Sequence, residues 1–452
     1  MLKPILLPTD ILVWLLVAAV IAFGLHCRRR AHLAASWARV FRSCVAVACA
    51  VVLACYVIVG LLDSLHYRPA LPANDPGEPV AYSVEVRSVL DSLLEPLRAR
   101  LEKTYSAPLA TRLYQMENVE RPDGTTVREF PRLVHGGAHL EDEAGWGRDV
   151  ALRLLGGLVA AAVVWSAVVL AGRRALSRRW PHVPWGAAAA ALGAILALVG
   201  PAVMLVGGYH VLGTNQVGVD VLYQALKSIR TSLVIGTLTT LVLLPLGVAA
   251  GIAAGYFKGW VDDLIQYLYT TLNSIPGVLL IAASVLMVQV YVDTHAELFP
   301  TSAQRADFRL LALCAILGAV GWTGLARLLR GEALKLSELE YIQAAHAFGV
   351  SHARILSRHF LPNVSHIVII ALVLDFSGLV LAEAVLSYVG VGVDPSTISF
   401  GTMINAARLE MAREPMVWWS LAAAFAFMFA LVLAANLFAD AVRDGFDPRV
   451  RV

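Results

Sequence analysis

The sequence predicts an all-α polytopic membrane protein that carries one water-soluble insert. Three observations predict it: 58% of the 452 residues are hydrophobic, only 15% are charged, and apolar runs of membrane-crossing length recur along the chain. Soluble domains are roughly 45–50% apolar and about 25% charged, so a single water-solvated core is excluded.

A hydrocarbon core of ~30 Å needs about 20 apolar helical residues. Runs near that length cover 11–25, 43–62, 154–172, 183–208, 231–257, 264–292, 310–326, 367–391 and 416–439, and of these only 367–391 holds ionisable residues, Asp375 and Glu383. The basic cluster Arg28-Arg29-Arg30 follows the first run, whereas a secretory signal puts its basic residues in front. That run therefore reads as an anchor, with residue 1 outside. Nine alternating spans then place 26–42, 173–182, 258–263, 327–366 and 440–452 inside. These segments carry 18 Lys and Arg, against seven in the short outside segments 1–10, 209–230, 293–309 and 392–415, the asymmetry of the positive-inside rule.

The net charge of +3 hides a division. Residues 63–150 hold 10 basic and 15 acidic residues, so an acidic extracytoplasmic insert is set in a positively biased membrane body. The expected organisation is an N-terminal transmembrane pair (1–62), the insert (63–150), a third span with a basic loop (151–182) and a core (183–452). Within the insert, Val86, Leu90, Leu93, Leu97 and Leu101 recur at helical spacing, and Pro96 kinks or restarts that helix. Residues 121–148 predict no secondary structure. The five cysteines, Cys27, Cys44, Cys49, Cys55 and Cys314, lie in or beside apolar stretches and imply no disulfide framework.

Energy supply narrows the function. A P-loop needs Gly before its Lys and Ser or Thr after it. Of the five lysines only Lys103 and Lys227 precede Ser or Thr, and they follow Glu102 and Leu226. The chain thus has no P-loop of its own. Asp375 and Glu383, eight residues apart on one helix, point to roughly the same side, and intramembrane carboxylates are by default functional. His346, His352, His359 and His366 lack the spacing of a metal site, and no metal or catalytic residue is assigned.

The most informative stretch is the inside loop 327–366. Ala344, Ala345 and Ala347 allow a helix end to fit closely against another surface, and Gly349 supplies a left-handed residue to end it. Arg354 and Arg358 fall one turn apart on a following helix that Pro362 helps to stop. The pattern reads as a cytoplasmic helix–turn–helix shaped to dock.

Gln343-Ala344-Ala345, Gly349 and Leu361-Pro362 resemble the EAA loop of ABC-importer permeases, in the version of the oligopeptide/dipeptide/nickel branch. Leu212-Gly213-Thr214-Asn215-Gln216-Val217-Gly218-Val219-Asp220-Val221 resembles that branch's LGTDxxGRDV sequence. Residues Ala254 to Asp262, Ala382 to Val393 and Ala441 to Pro448 are similar too, so the likeness covers about 183–450 in order. Gln343 replaces Glu, Asn215 replaces Asp and Val219 replaces Arg in those patterns, Asp375 stands where the branch has an uncharged residue, and the N-terminal 182 residues exceed its short leader. Gly147-Arg148-Asp149-Val150 echoes GRDV, by chance or by partial duplication.

The resemblance implies a six-helix permease core, the second permease of a pair, with an N-terminal extension of about three spans. It implies an ATP-driven importer of peptides or similar small solutes in the bacterial inner membrane, with the C-terminus cytoplasmic. Implied partners are a second homologous permease, one or two cytoplasmic ABC ATPases that bind ATP and Mg, an extracytoplasmic solute-binding protein and the lipid bilayer; neither nucleic acid nor a cofactor of this chain is implied. ATPase coupling is expected of Gln343, Ala344, Ala345, Gly349, Arg354, Arg358, Leu361 and Pro362. The translocation path or its gate is expected at Asp375, Glu383 and Ser387, and the outer loop motif comprises Gly213, Thr214, Asn215, Gly218 and Asp220. Two other readings stay open: an ion-coupled carrier using Asp375 and Glu383, and a membrane sensor or scaffold built around 63–150.

Overall fold

A computed structural model describes residues 2–70, 82–120, 126–175 and 180–446. Among them nine helices are long and apolar enough to cross a membrane: Pro8–Arg29, Cys44–Asp63, Glu143–Gly172, Trp185–Val206, Val221–Phe257, Gly277–Thr294, Ser302–Ser337, His352–Val389 and Trp419–Phe446, the first to ninth spans below. Helices dominate because no water in the bilayer satisfies free backbone groups.

Three stretches depart from the apolar runs. The run 264–292 is two helices, Gly259–Ser274 and Gly277–Thr294, because Ile275 is extended before Pro276, the conformation that a following proline imposes. The seventh span runs on from Gly321 into Thr323–Ser337, so the first part of 327–366 is helix rather than loop. Pro362 does not stop a helix. It stands in the first turn of Leu361–Val389, directly after a π-helical turn, Leu356–Phe360. The wide turn opens the backbone just ahead of a residue that lacks an N–H and whose ring crowds the preceding turn.

The chain divides into two units, each assembled from three stretches: residues 1–6, 41–232 and 395–434 in the first, and 7–40, 233–394 and 435–452 in the second. In the first unit, the third and fourth spans form a tight antiparallel hairpin. A Cβ on Gly200 would lie 2.5 Å from the Gly157 carbonyl, and Trp165 donates to the Ala189 carbonyl at 2.6 Å. The insert contributes strand β2 (His66–Pro69), paired antiparallel with β1 (Leu2–Ile5) and β3 (Arg87–Ser88). The helical periodicity of its first half becomes two short helices, Val89–Leu93 and Glu95–Arg98, restarted at Pro96. Its second half, read as structureless, forms a hairpin of β4 (Glu117–Glu120) and β5 (Thr126–Glu129) in which Val119 faces Val127.

In the second unit, the fifth span meets helix Thr323–Ser337 along a line of glycines four residues apart. A Cβ on Gly247 would come 2.9 Å from Leu325, on Gly251 2.6 Å from the Ala326 carbonyl, and on Gly255 2.5 Å from Ala333. Such spacing lets backbones approach where lipid offers no hydrophobic drive to association. The contact continues into a buried cluster that includes Leu329, Ala333, Ile342, Ile355 and Phe360. At the opposite end of this unit, Asp307 accepts from the backbone N–H of Thr9 at 3.1 Å and from its hydroxyl. It thereby caps the first span, which begins at Pro8, where an anion meets the positive end of the helix dipole.

Gly251→Leu forces a side chain into this contact and is expected to destabilise the protein by ~1–3 kcal/mol, read as a lowered melting temperature in detergent. Gly156→Ala is expected to leave stability unchanged or raised, since nothing lies within 4 Å of a Cβ there. Equal melting temperatures for Gly251→Leu and the parent would contradict the packing argument.

Candidate functional site

The surface around Gln343 is built on Tyr256. This residue closes the fifth span, and its hydroxyl lies 2.8 Å from His352 Nδ1. The His346 ring stacks on it at 5.5 Å, and Phe360 meets it edge-on at 5.0 Å. Helix Glu340–Ala347 is held to the unit by one fully buried side chain, Ile342. Its C-terminus is a Schellman motif: Gly349, at φ +70°, donates to the His346 carbonyl at 2.9 Å, and Val350 donates to Ala345 at 3.1 Å. Both orphan carbonyls are satisfied because a left-handed residue follows the cap. Gln343, Ala344, Gly349, Arg354, Arg358, Leu361 and Pro362 are all exposed, and Ala345 is half-buried. Phe348, at the end of this helix, is 87% exposed.

The same surface is braced by contacts absent from the sequence reading. Lys258 and Gly259 both have positive φ, which turns the chain from the fifth span into helix Gly259–Ser274. Arg330 then grips Asp262 with two bonds of 2.5 and 2.6 Å, and this guanidinium holds the Asp262 carboxyl below the usual carboxylate range. Further along, Arg327 lies over the Tyr269 ring at 5.5 Å and Thr323 donates to Asn273 at 3.2 Å. Helix Thr323–Ser337 is thus clasped by glycines on one side and by polar pairs on the other. Tyr256 and Asp262 sit inside the quoted stretch Ala254 to Asp262, but their partners lie far along the chain and leave no local signal.

The eighth span carries the remaining inner candidates. Ser387 donates to Glu383 at 2.7 Å, and Glu383 is fully buried although it stands near the span's end. A Cβ on Gly392 would overlap Ser387, while Gly390 closes the helix at φ +89°. Asp375 is half-buried, two turns away. At the chain's end Gly445 abuts Val40 and Phe446 meets Trp37 edge-on at 5.4 Å; Asp447 and Pro448 of that stretch lie outside the described residues.

In the first unit the outer loop motif is a seat for the insert. Thr214 accepts from the Ser106 amide at 2.7 Å and donates to the Thr104 carbonyl at 2.8 Å. Gly213, at φ +72°, leaves no space for a side chain beside the Ser106 carbonyl, nor does Gly218, at φ +74°, beside the Glu102 backbone. Asn215 accepts from the amides of Val217 and Val219 at 3.0 and 2.9 Å and shapes the turn between them. Asp220 takes the Leu222 amide at 2.8 Å and starts the fifth span, an ordinary capping role for Asp. The echo at Asp149 is used differently: it accepts from Tyr209 and Arg153 at 2.8 and 2.9 Å.

Two buried charge clusters lock the insert. Lys227 bridges Asp63 at 2.6 Å and Asp91 at 3.0 Å. Although burial pushes the Asp91 carboxyl up, the Lys227 charge and the hydrogen bonds around it hold it below its ordinary value. His210 lies between Asp220 at 2.8 Å and Glu102 at 3.4 Å, while Glu102 accepts from the amides of Val134, His135 and Gly136. Burial pulls the imidazole down, but the two carboxylates outweigh it and hold it at about 9. Burial likewise pushes Glu102 up, yet His210 and the three amides hold it at about 2.

These features define a polytopic transport subunit of the inner membrane. The chain belongs to the family described as binding-protein-dependent transport system inner membrane component, whose profile matches residues 247–452. It is 32% identical over 245 residues to the oligopeptide transport system permease protein OppC of Mycobacterium tuberculosis, a match covering 54% of this chain and 78% of that one. Over 244 residues it is 32% identical to the glutathione transport system permease protein GsiD of Pectobacterium atrosepticum, covering 54% and 73%. To the dipeptide transport system permease protein DppC of Bacillus subtilis it is 27% identical over 242 residues, covering 54% and 69%.

The His210 cluster sets a pH dependence. The raised His210 pKa contributes stability that is complete below the ordinary value of 6.5 and lost as pH rises through about 9. The lowered Glu102 pKa contributes stability that is complete above 4.5 and lost as pH falls through about 2. Melting temperature is therefore expected to be highest between those ordinary values and to fall on the alkaline side through 9. In His210→Gln the alkaline fall is expected to shrink; an unchanged alkaline limb would show that His210 does not carry it.

Proposed function

We propose that this chain is the permease subunit of an ATP-driven importer of peptides or similar small solutes. It works beside a second homologous permease, with one or two cytoplasmic ATPases that hydrolyse ATP and an extracytoplasmic binding protein that delivers the solute. The observation that carries the reading is helix Glu340–Ala347, which buries Ile342 and stacks His346 on Tyr256 while its opposite face, Gln343, Ala344 and the terminal Phe348, stays exposed. A groove on an ATPase supplies what that ring lacks. Movement of the helix passes through Tyr256 and the Asp262–Arg330 pair into the fifth and seventh spans, a rigid-body route of the kind that opens and closes transporters.

The membrane arrangement supports the same reading. Strand β1 pairs with β2, so the chain returns after two crossings to the face on which it began, and nine crossings put the C-terminus on the opposite, cytoplasmic face. Gln343, Ala344, Ala345, Gly349, Arg354, Arg358, Leu361 and Pro362 then share that face as the coupling surface. Asp375, Glu383 and Ser387 belong to the span this surface moves. Specificity rests with the binding protein, for which the insert seated on the outer loop forms a fixed collar.

Uptake by cells or proteoliposomes holding the assembled transporter is expected to require ATP and to survive collapse of the proton gradient. Gly349→Val, which places a branched side chain at a positive φ, is expected to reduce both ATPase co-purification and uptake. Uptake that persists without ATP and collapses with the proton gradient would overturn the reading in favour of an ion-coupled carrier.

A further inference from the structure

Helix Gly259–Ser274 presents three faces rather than two. Asp262, Ile265, Tyr269 and Leu272 turn inward, and Asp262 and Tyr269 meet Arg330 and Arg327. Leu264 and Leu268 form an exposed apolar face, as lipid requires. Asp263, Gln266, Tyr267, Thr270 and Ser274 fall within about 100° of arc on the remaining side, with Thr271 at its edge. Together these six residues line one shallow groove.

Such a stripe does not belong in lipid. The Asp263 carboxylate facing hydrocarbon is expensive, and hydroxyls there must find partners; the Gln266 amide, half-buried at the edge of the stripe, already bonds Asp262. Ser274 bonds its own Thr270 carbonyl at 2.8 Å, which still leaves a polar surface about 16 Å long between Asp263 and Ser274. The stripe begins just after the turn at Lys258 and Gly259 and ends just before the break at Ile275 and Pro276. It therefore runs from one membrane face inward, ahead of the sixth span.

We infer that this stripe lines the inner mouth of the translocation path and is the surface along which solute leaves the transporter. The inference rests on the permease reading above. Neutral hydroxyls and an amide, with the single carboxylate of Asp263, suit solutes rich in hydrogen-bonding groups or bearing an amine, and disfavour polyanions. Weak, repeated contacts of this kind let a solute enter and leave. Glu383, buried and bonded to Ser387, takes no part in this segment.

The test uses the full transporter, with ATPases and binding protein, in a background where the five native cysteines are replaced and uptake is retained. Thr270→Cys and Ser274→Cys are expected to react with a membrane-impermeant maleimide, to lose that reactivity when the complex is trapped with ATP and vanadate, and to lose uptake once modified. Leu268→Cys is expected to react only with a lipid-soluble reagent. Thr270→Trp in the native chain is expected to lose uptake while ATPase co-purification is unchanged, which separates a blocked path from failed assembly. Reactivity unaffected by trapping, with uptake intact, would make the stripe a cytosolic face and overturn the inference. Protection from both reagents would make it a packed interface and overturn it equally. Failure of the permease reading is seen separately, as parent uptake that does not need ATP.

Discussion

The close approach of the fifth span to helix Thr323–Ser337 is the constraint on which the second unit depends. Gly247, Gly251 and Gly255 bring two backbones within reach of each other, and in lipid such packing replaces the hydrophobic drive that water would supply. Because Leu329 and Ala333 are fully buried in that contact, the neighbouring side of the same helix is left for Arg330 and Arg327. Those cations then select Asp262 and Tyr269, which orients helix Gly259–Ser274 and decides which residues it exposes. A three-residue line of glycines thus sets the position of both helix Glu340–Ala347 and the polar stripe of Gly259–Ser274.

The first unit is organised by charge. Lys227 draws Asp63 and Asp91 together, and His210 draws Asp220 and Glu102, so that the start of the fifth span and the acidic insert share buried counter-ions. Breaking such a pair is costly because it strands a buried charge. The insert is therefore not a tethered domain. Its net charge of −5 is partly neutralised by cations of the membrane body, a match that composition alone does not disclose.

Much of the architecture is legible in the residues. Apolar runs located the spans, Pro96 marked the restart of a helix, and Gly349 marked the left-handed end of another. The failures have one physical cause. Pro276 lies inside the run 264–292, which reads as one span, yet it breaks the helix there, while Pro362, expected to stop a helix, is absorbed by a π-turn. Arg330 and Asp262 are 68 residues apart, and no periodicity reports a pairing of that length. The hairpin at Glu117–Glu129 rests on short alternating strands in a charge-rich stretch, where the apolar signal is too thin to read.

By itself the sequence determined that this is a multi-pass, mostly helical membrane protein without a P-loop, and where its long apolar helices lie, because those properties follow from composition, spacing and local backbone preference. Only the tertiary structure decided that the outer loop motif is the seat of the insert, that Glu383 is buried with Ser387, and that Asp263, Tyr267, Thr270 and Ser274 of Gly259–Ser274 share one groove. Each of those depends on which distant side chains meet. A single chain of residue types carries no record of that meeting beyond the residues themselves.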